Sequence, residues 1–184
     1  TSHNNGKVHE LLVRRLQHRD QFLGACYEVF VTGSMIRAGF DIELEDESDN
    51  TVSHCEFTAT YRRTGQKYSV EAKMRHSQAM PPKVDHLLIG ALKKRALHPR
   101  IVFIELNCLG DGTPDGVKEI VRAVASDLKS REELFTIKGQ PAPPAYLFVT
   151  NNPVGDEKTP HVYAGSMDAF LMPDFTAKSG PLAE

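Results

Sequence analysis

Residues 55–75, CEFTATYRRTGQKYSVEAKMR, decide the fold. Side chains alternate across a strand, so residues two apart share a face. Cys55, Phe57, Ala59 and Tyr61 then take one face of a first strand, and Glu56, Thr58 and Thr60 the other. In a second strand Tyr68, Val70, Ala72 and Met74 oppose Ser69, Glu71, Lys73 and Arg75. Thr64-Gly65 reads as the turn between them. That turn pairs Arg63 with Gln66, Tyr61 with Tyr68, Ala59 with Val70, Phe57 with Ala72 and Glu56 with Lys73, with Glu71 diagonal to Glu56. The register gathers apolar side chains on one face and two carboxylates with an ammonium on the other. A slip of one residue would break both sets.

Working outward, residues 7–38 carry Leu11, Leu12, Leu16, Phe22, Cys26, Val29 and Phe30 at helical spacing. A break is expected near residues 18–20, with Asp20 as N-cap and Gly39 as terminator. The second part is apolar over most of its circumference, which predicts burial. Phe40, Ile42 and Leu44 alternate with acids as in a half-buried strand, and a polar turn over residues 47–51 leads to the hairpin. After Arg75, Pro81 and Pro82 open an expected helix over residues 83–97, with a basic end at Lys93, Lys94 and Arg95. Residues 100–107, RIVFIELN, read as a strand buried on both faces. Thr113 and Pro114 start a helix to about Lys129, and AYLFVTNN forms another strand after a Pro-rich loop. A short strand and a short helix are expected between residues 160 and 175, with fraying from Ala177. The order predicts an α/β fold, a mixed central sheet with helices on both faces.

The 184 residues suit one domain, with a core over residues 11–152 and a peripheral C-terminal extension over 153–184. No apolar run reaches the length of a membrane span, and the first ten residues contain no apolar signal region. The missing initiator Met leads us to expect a processed chain or a piece of a longer one. Three separated cysteines, Cys26, Cys55 and Cys108, suit a reducing cytoplasm better than a disulfide or zinc framework. Residues 41–56 carry seven acids and no Lys or Arg, whereas residues 61–100 carry ten Lys or Arg against Glu71 and Asp85. Such a basic middle can meet a phosphate backbone, or it can be a solvated surface.

Two carboxylates close together repel unless a cation sits between them. A hard divalent ion takes one or two carboxylates, with water and phosphate completing its shell. A lysine beside it can hold the attacking water or offset phosphate charge. These parts suit metal-assisted phosphodiester hydrolysis. The same residues also make a plain cross-strand ion pair, Glu56 with Lys73.

An acid on one strand, a turn, then Glu71-Ala72-Lys73 on the next resembles the PD-(D/E)xK nuclease superfamily, the restriction-endonuclease-like fold. Glu56 falls where that family's Asp is expected, and Glu28 matches its helical Glu. The α-β-β-β-α-β element order also fits. Cys55-Glu56 replaces the Pro-Asp dipeptide. The resemblance implies a Mg²⁺- or Mn²⁺-dependent nuclease acting on nucleic acid, DNA first. It implies that Glu56, Glu71 and Glu28 bind metal, with the Ala72 carbonyl assisting. Lys73 would position water, and Glu28 would hold a second ion or orient a metal-bound water. Arg75, Gln78, Lys83, Lys93 and Lys94 would contact nucleic acid. Double-strand cleavage would require two sites, hence a homodimer or two nicks. The alternative, favoured by Cys55-Glu56, is a nuclease-fold module without catalysis that binds nucleic acid or protein.

Other patterns fail. LGDGTPDG lacks the Lys-Ser/Thr of a phosphate loop, and as a calcium loop it places Arg122 where Glu is required. Ser34 and Ser166 lie outside Gly-x-Ser-x-Gly. The eight histidines lack zinc spacing, and His54 and Cys55 point to opposite strand faces. With no Trp there is no evident stacking platform for single strands.

Overall fold

The structure, a computed structural model, describes residues 10, 12–44, 54–109, 113–152 and 164–172. Residues 12–17 are helical and precede the long helix α1 (Arg19–Arg37). The break falls where expected, but His18 is the N-cap, and Asp20 sits inside the first turn. Gly39, at φ +92°, ends the helix in a conformation that glycine adopts without penalty. Burial takes only the α1 face bearing Ala25, Tyr27, Val31 and Met35; Phe22, Val29 and Ile36 stay exposed, contrary to the expected burial.

Strands β1 (Phe40–Leu44), β2 (Phe57–Tyr61) and β3 (Lys67–Met74) form the expected antiparallel meander. Their register differs from the expectation. Phe57 lies opposite Val70 and Ala59 opposite Tyr68, a slide of two residues. The turn is wider than Thr64-Gly65 alone. Tyr61 N–H donates to the Gln66 carbonyl at 2.8 Å, and the N–H groups of Thr64 and Gly65 return to the Tyr61 carbonyl. Gly65 at φ +72° closes it. A slide of two leaves every side chain on its face, so the hydrophobic pattern carries no information about it.

Helix α2 (Asp85–Leu92) is shorter than the expected span of residues 83–97. The following segment is drawn to β3 instead. Ser69 Oγ accepts from the N–H groups of Leu97 and His98, and Ser69 N–H donates to the Pro99 carbonyl. Lys93, Lys94 and Arg95 are therefore not a helical basic end. Strand β4 (Arg100–Glu105) and helix α3 (Pro114–Ser130) follow, the latter capped by Thr113 Oγ1, which accepts from Gly116 N–H at 3.1 Å. A 3₁₀ turn (Glu132–Leu134) leads to a small hairpin of β5 (Thr136–Ile137) and β6 (Gln140–Pro141), which the Pro-rich loop had concealed. Strands β7 (Ala145–Asn151) and β8 (Ala164–Phe170) complete the chain.

The six-stranded sheet has the order β1-β2-β3-β4-β7-β8. Its centre, β3, β4 and β7, is parallel, and the outer pairings are antiparallel. Alternation along β4 divides the core. Ile101 and Phe103 pack with Tyr27, Val31 and Met35 of α1, while Val102 and Ile104 pack with Leu88 and Leu92 of α2 and Val117, Val121 and Leu128 of α3. The fold is thus α/β, a mixed central sheet with helices on both faces. Strand β8 pairs fully with β7, so this part of the expected peripheral extension belongs to the sheet. No helix is described between residues 164 and 172; the polar turn over 47–51 and the segment from Ala177 lie outside the described residues. No described helix is long and apolar enough to cross a membrane.

Candidate functional site

The polar face of β3 reads Ser69, Glu71, Lys73. In the parallel register Glu71 lies opposite Val102 and Lys73 opposite Ile104, so both point to the α2–α3 side of the sheet. Glu71 is 1 % exposed, and Lys73 is 26 % exposed. Lys73 Nζ stands 2.5 Å from Glu71 Oε1 and 3.6 Å from Glu56 Oε1. Lys94, just beyond α2, brings a second ammonium to 3.9 Å from Glu71 Oε1. The separation from Lys73 is that of an ion pair, yet neither Glu71 oxygen accepts a well-aligned hydrogen bond.

Glu56 reaches this cluster from an irregular strand start. Its N–H donates to the Val70 carbonyl at 3.0 Å, although Val70 is already the partner of Phe57. Two residues against one is the count of a β-bulge, a device that re-aims side chains. It also reverses the alternation upstream. Cys55, expected on the apolar face with Phe57, is instead buried near Glu71 with its Sγ 3.5 Å from the Arg95 carbonyl. Burial first, and then the Glu71 charge, pushes its thiol up to about 12, so it is inert as a nucleophile.

Burial raises the Glu71 carboxyl from 4.5 to about 7; the Glu56 charge adds to the rise, and Lys73 and Lys94 oppose it. Desolvation, the largest single influence, would lower the Lys73 ammonium, but the attractions of Glu71, Glu56 and Glu28 together outweigh it and raise the group. The pair thus favours the cation and disfavours the anion. The difference in exposure explains it, since the deeper group loses more hydration.

Glu28 does not join them. It projects from α1, which covers the opposite face, and its Oε2 accepts from Arg15 Nη1 at 2.9 Å in a two-point ion pair. Its charge still supports the Lys73 ammonium from a distance. Among the described residues no three His, Cys, Asp or Glu side chains gather closely enough to hold a metal ion. Comparisons with known protein families, with curated proteins and with solved structures find no match.

The residues expected to touch nucleic acid separate. Lys83, Lys93 and Gln78 are exposed, and Lys94 belongs to the Glu71 cluster. Arg75 is buried, contrary to its expected place on a phosphate backbone. Its guanidinium donates to the Leu106 carbonyl (3.0 Å), Cys108 Sγ (3.1 Å) and the Ala79 carbonyl (2.7 Å). It anchors the strand end rather than a ligand.

A second buried carboxylate escaped the sequence reading. Glu105 ends β4 at 1 % exposure, with Oε1 accepting from the N–H groups of Asn107 (3.0 Å) and Asn152 (2.7 Å) and Oε2 from Thr150 Oγ1 (2.7 Å). Thr150 Oγ1 also lies 2.7 Å from the Tyr27 hydroxyl of α1. Burial raises the Glu105 carboxyl, and these hydrogen bonds oppose the rise. The available signal was one acid inside an apolar run, RIVFIELN. Fully bonded, Glu105 staples β4 to β7, whereas Glu71 relies on the ion pair with Lys73, with Lys94 farther off.

Proposed function

We propose that the chain is a nuclease-like domain of the PD-(D/E)xK type, with a restriction-endonuclease-like core, that hydrolyses phosphodiester bonds of nucleic acid, DNA being the first substrate to test. The element order α1, β1, β2, β3, α2, β4 supports that core. The observation that carries the reading is Glu71, nearly inaccessible, without an aligned hydrogen bond at either oxygen, and beside Glu56 and Lys73. Lys73 pairs with this carboxylate at 2.5 Å, yet burial beside a second acid still disfavours its ionised form, so a further cation between the two acids would stabilise it.

Mg²⁺ or Mn²⁺ suits this donor set, because such ions need only one or two protein carboxylates. Glu56 and Glu71 would hold the ion, and once bound it would offset the charge developing on a phosphate. Lys73 Nζ, between both acids, would orient the attacking water or neutralise the phosphate. Lys94 would restrain Glu71 from the side of α2. Glu28, tied to Arg15, would contribute charge rather than a ligand.

A second reading, binding of nucleic acid or protein without hydrolysis, is favoured by that Arg15–Glu28 pair and by the absence of a third converging carboxylate among the described residues. Calorimetric titration with Mn²⁺ on wild type and Glu71→Ala, with plasmid cleavage by wild type and Lys73→Ala, separates the two. Hydrolysis requires metal binding lost in Glu71→Ala and cleavage lost in Lys73→Ala. Absence of metal binding in wild type removes the mechanism. Metal binding without cleavage selects the second reading.

A further inference from the structure

Beyond the end of β3 the chain turns through residues 75–84 before entering α2, and a groove of about 590 Å³ opens along it. Its functional side chains are His76, Ser77, Lys83 and His86, all exposed. Among the described residues no Asp or Glu lines it. The neighbouring acid, Asp85, is turned away and held by Arg131 through contacts of 3.0 and 2.9 Å. Among the described residues the groove therefore offers an ammonium without a carboxylate partner and three hydrogen-bond donors, beginning three residues after Lys73.

The floor is rigidly held. Arg75 fixes the loop by donating from Nη2 to the Ala79 carbonyl, while Nη1 donates to both the Leu106 carbonyl and Cys108 Sγ. Ser77 Oγ accepts from Ala79 N–H at 3.1 Å. Among the described residues no Phe or Tyr lines the groove, so the rings that could meet a base are the imidazoles of His76 and His86, and stacking on them is tolerant of sequence. Contacts to phosphate give affinity and position without reading sequence.

We propose that this groove is the track for the sugar–phosphate backbone of a nucleic-acid strand, gripped by Lys83 with His76 and His86 and held without regard to base sequence. The assignment rests on the nuclease-like reading for its direction, since it leads a strand toward Lys73. Its chemistry can be tested apart from that reading.

The test is fluorescence anisotropy with short labelled single-stranded oligodeoxynucleotides, one homopolymeric and one of mixed sequence, in EDTA so that nothing is cleaved. Wild type is expected to bind both within about twofold, with affinity falling steeply as salt rises. Lys83→Glu should weaken binding about tenfold and flatten the salt slope by about one. His76→Ala/His86→Ala should weaken it further without introducing a sequence preference. Circular dichroism melts of these surface variants check that each remains folded. Binding unchanged in Lys83→Glu and in the double variant would overturn the track, as would no binding by wild type. A strong preference between the two sequences would overturn its backbone-only character. Loss of Mn²⁺ binding or cleavage sinks the nuclease reading and leaves this result standing, whereas indifference to Lys83→Glu sinks the track alone.

Discussion

Replacing Glu71 by Gln should make the metal-free protein more stable at alkaline pH, and the gain should disappear in acid. The unfolded chain ionises this carboxyl near 4.5 and the folded chain near 7. Folding therefore takes up a proton between those values, and wild-type stability falls as pH rises through that window. The full cost is present above about 7 and absent below about 4.5. At 1.36 kcal/mol per pH unit the cost approaches about 3 kcal/mol. Glu71 is 1 % exposed, so solvent screening removes little of it. The amide in Gln brings its own buried donors, a penalty of about 1–3 kcal/mol that does not vary with pH. The decisive quantity is thus the change with pH. Urea denaturation in EDTA at pH 5 and pH 8 should show the variant gaining about 2–3 kcal/mol on wild type between the two. In thermal melts this is a relative shift of about 4–12 °C for a chain of this size. Mn²⁺ should then stabilise wild type, by about 2.7 kcal/mol at a hundredfold excess over its dissociation constant, and leave the variant unchanged. Parallel pH profiles for the two proteins would refute the claim that burial of Glu71 is only partly compensated by its ammonium neighbours.

The buried bonds at the strand ends predict different losses. Thr150→Val deprives Glu105 Oε2 of its hydroxyl donor and should cost about 2–3 kcal/mol in urea denaturation, against about 1 kcal/mol for Tyr27→Phe. Equal losses would mean that Glu105 does not depend on Thr150. Arg75→Met should destabilise by about 3 kcal/mol, because buried carbonyls lose a charged donor, while the salt slope of oligonucleotide binding stays at its wild-type value. A flattened slope in that variant would return Arg75 to the phosphate contacts.

The faces of the hairpin were legible because burial follows a period of two. Its register was not, since turn width and the bulge at Glu56 are set by backbone hydrogen bonds that side-chain pattern does not encode. The contact between Glu56 and Lys73 was nonetheless anticipated, because a long lysine reaches past a slide of two. Arg75 misled for a related reason. Its basic character suggested a phosphate, but its position at the end of a buried strand put carbonyls within reach first. The sequence pattern continues the helix through Lys94, but the helix ends at Leu92, where the following segment is drawn to Ser69, and Lys94 lies beside Glu71. The helical spacing puts Glu28 on a helix over the sheet, but tertiary packing decides which face that helix covers, and it is the face away from Glu71.

The link between α1 and the strand ends has a direction. A threonine hydroxyl has one proton to give. With Glu105 ionised, Thr150 gives it to that carboxylate, and the bond with Tyr27 then runs from the phenol to Thr150. The helix is therefore attached as a donor, and the polarity of its attachment is set by the negative charge two steps away. Were Glu105 to hold a proton on Oε2, that oxygen would donate and Thr150 would be released to point its own hydrogen at Tyr27. The arrow along the chain would reverse while every heavy atom stayed in place, and the charge of one strand residue would be written in the orientation of a hydroxyl on the helix that covers it.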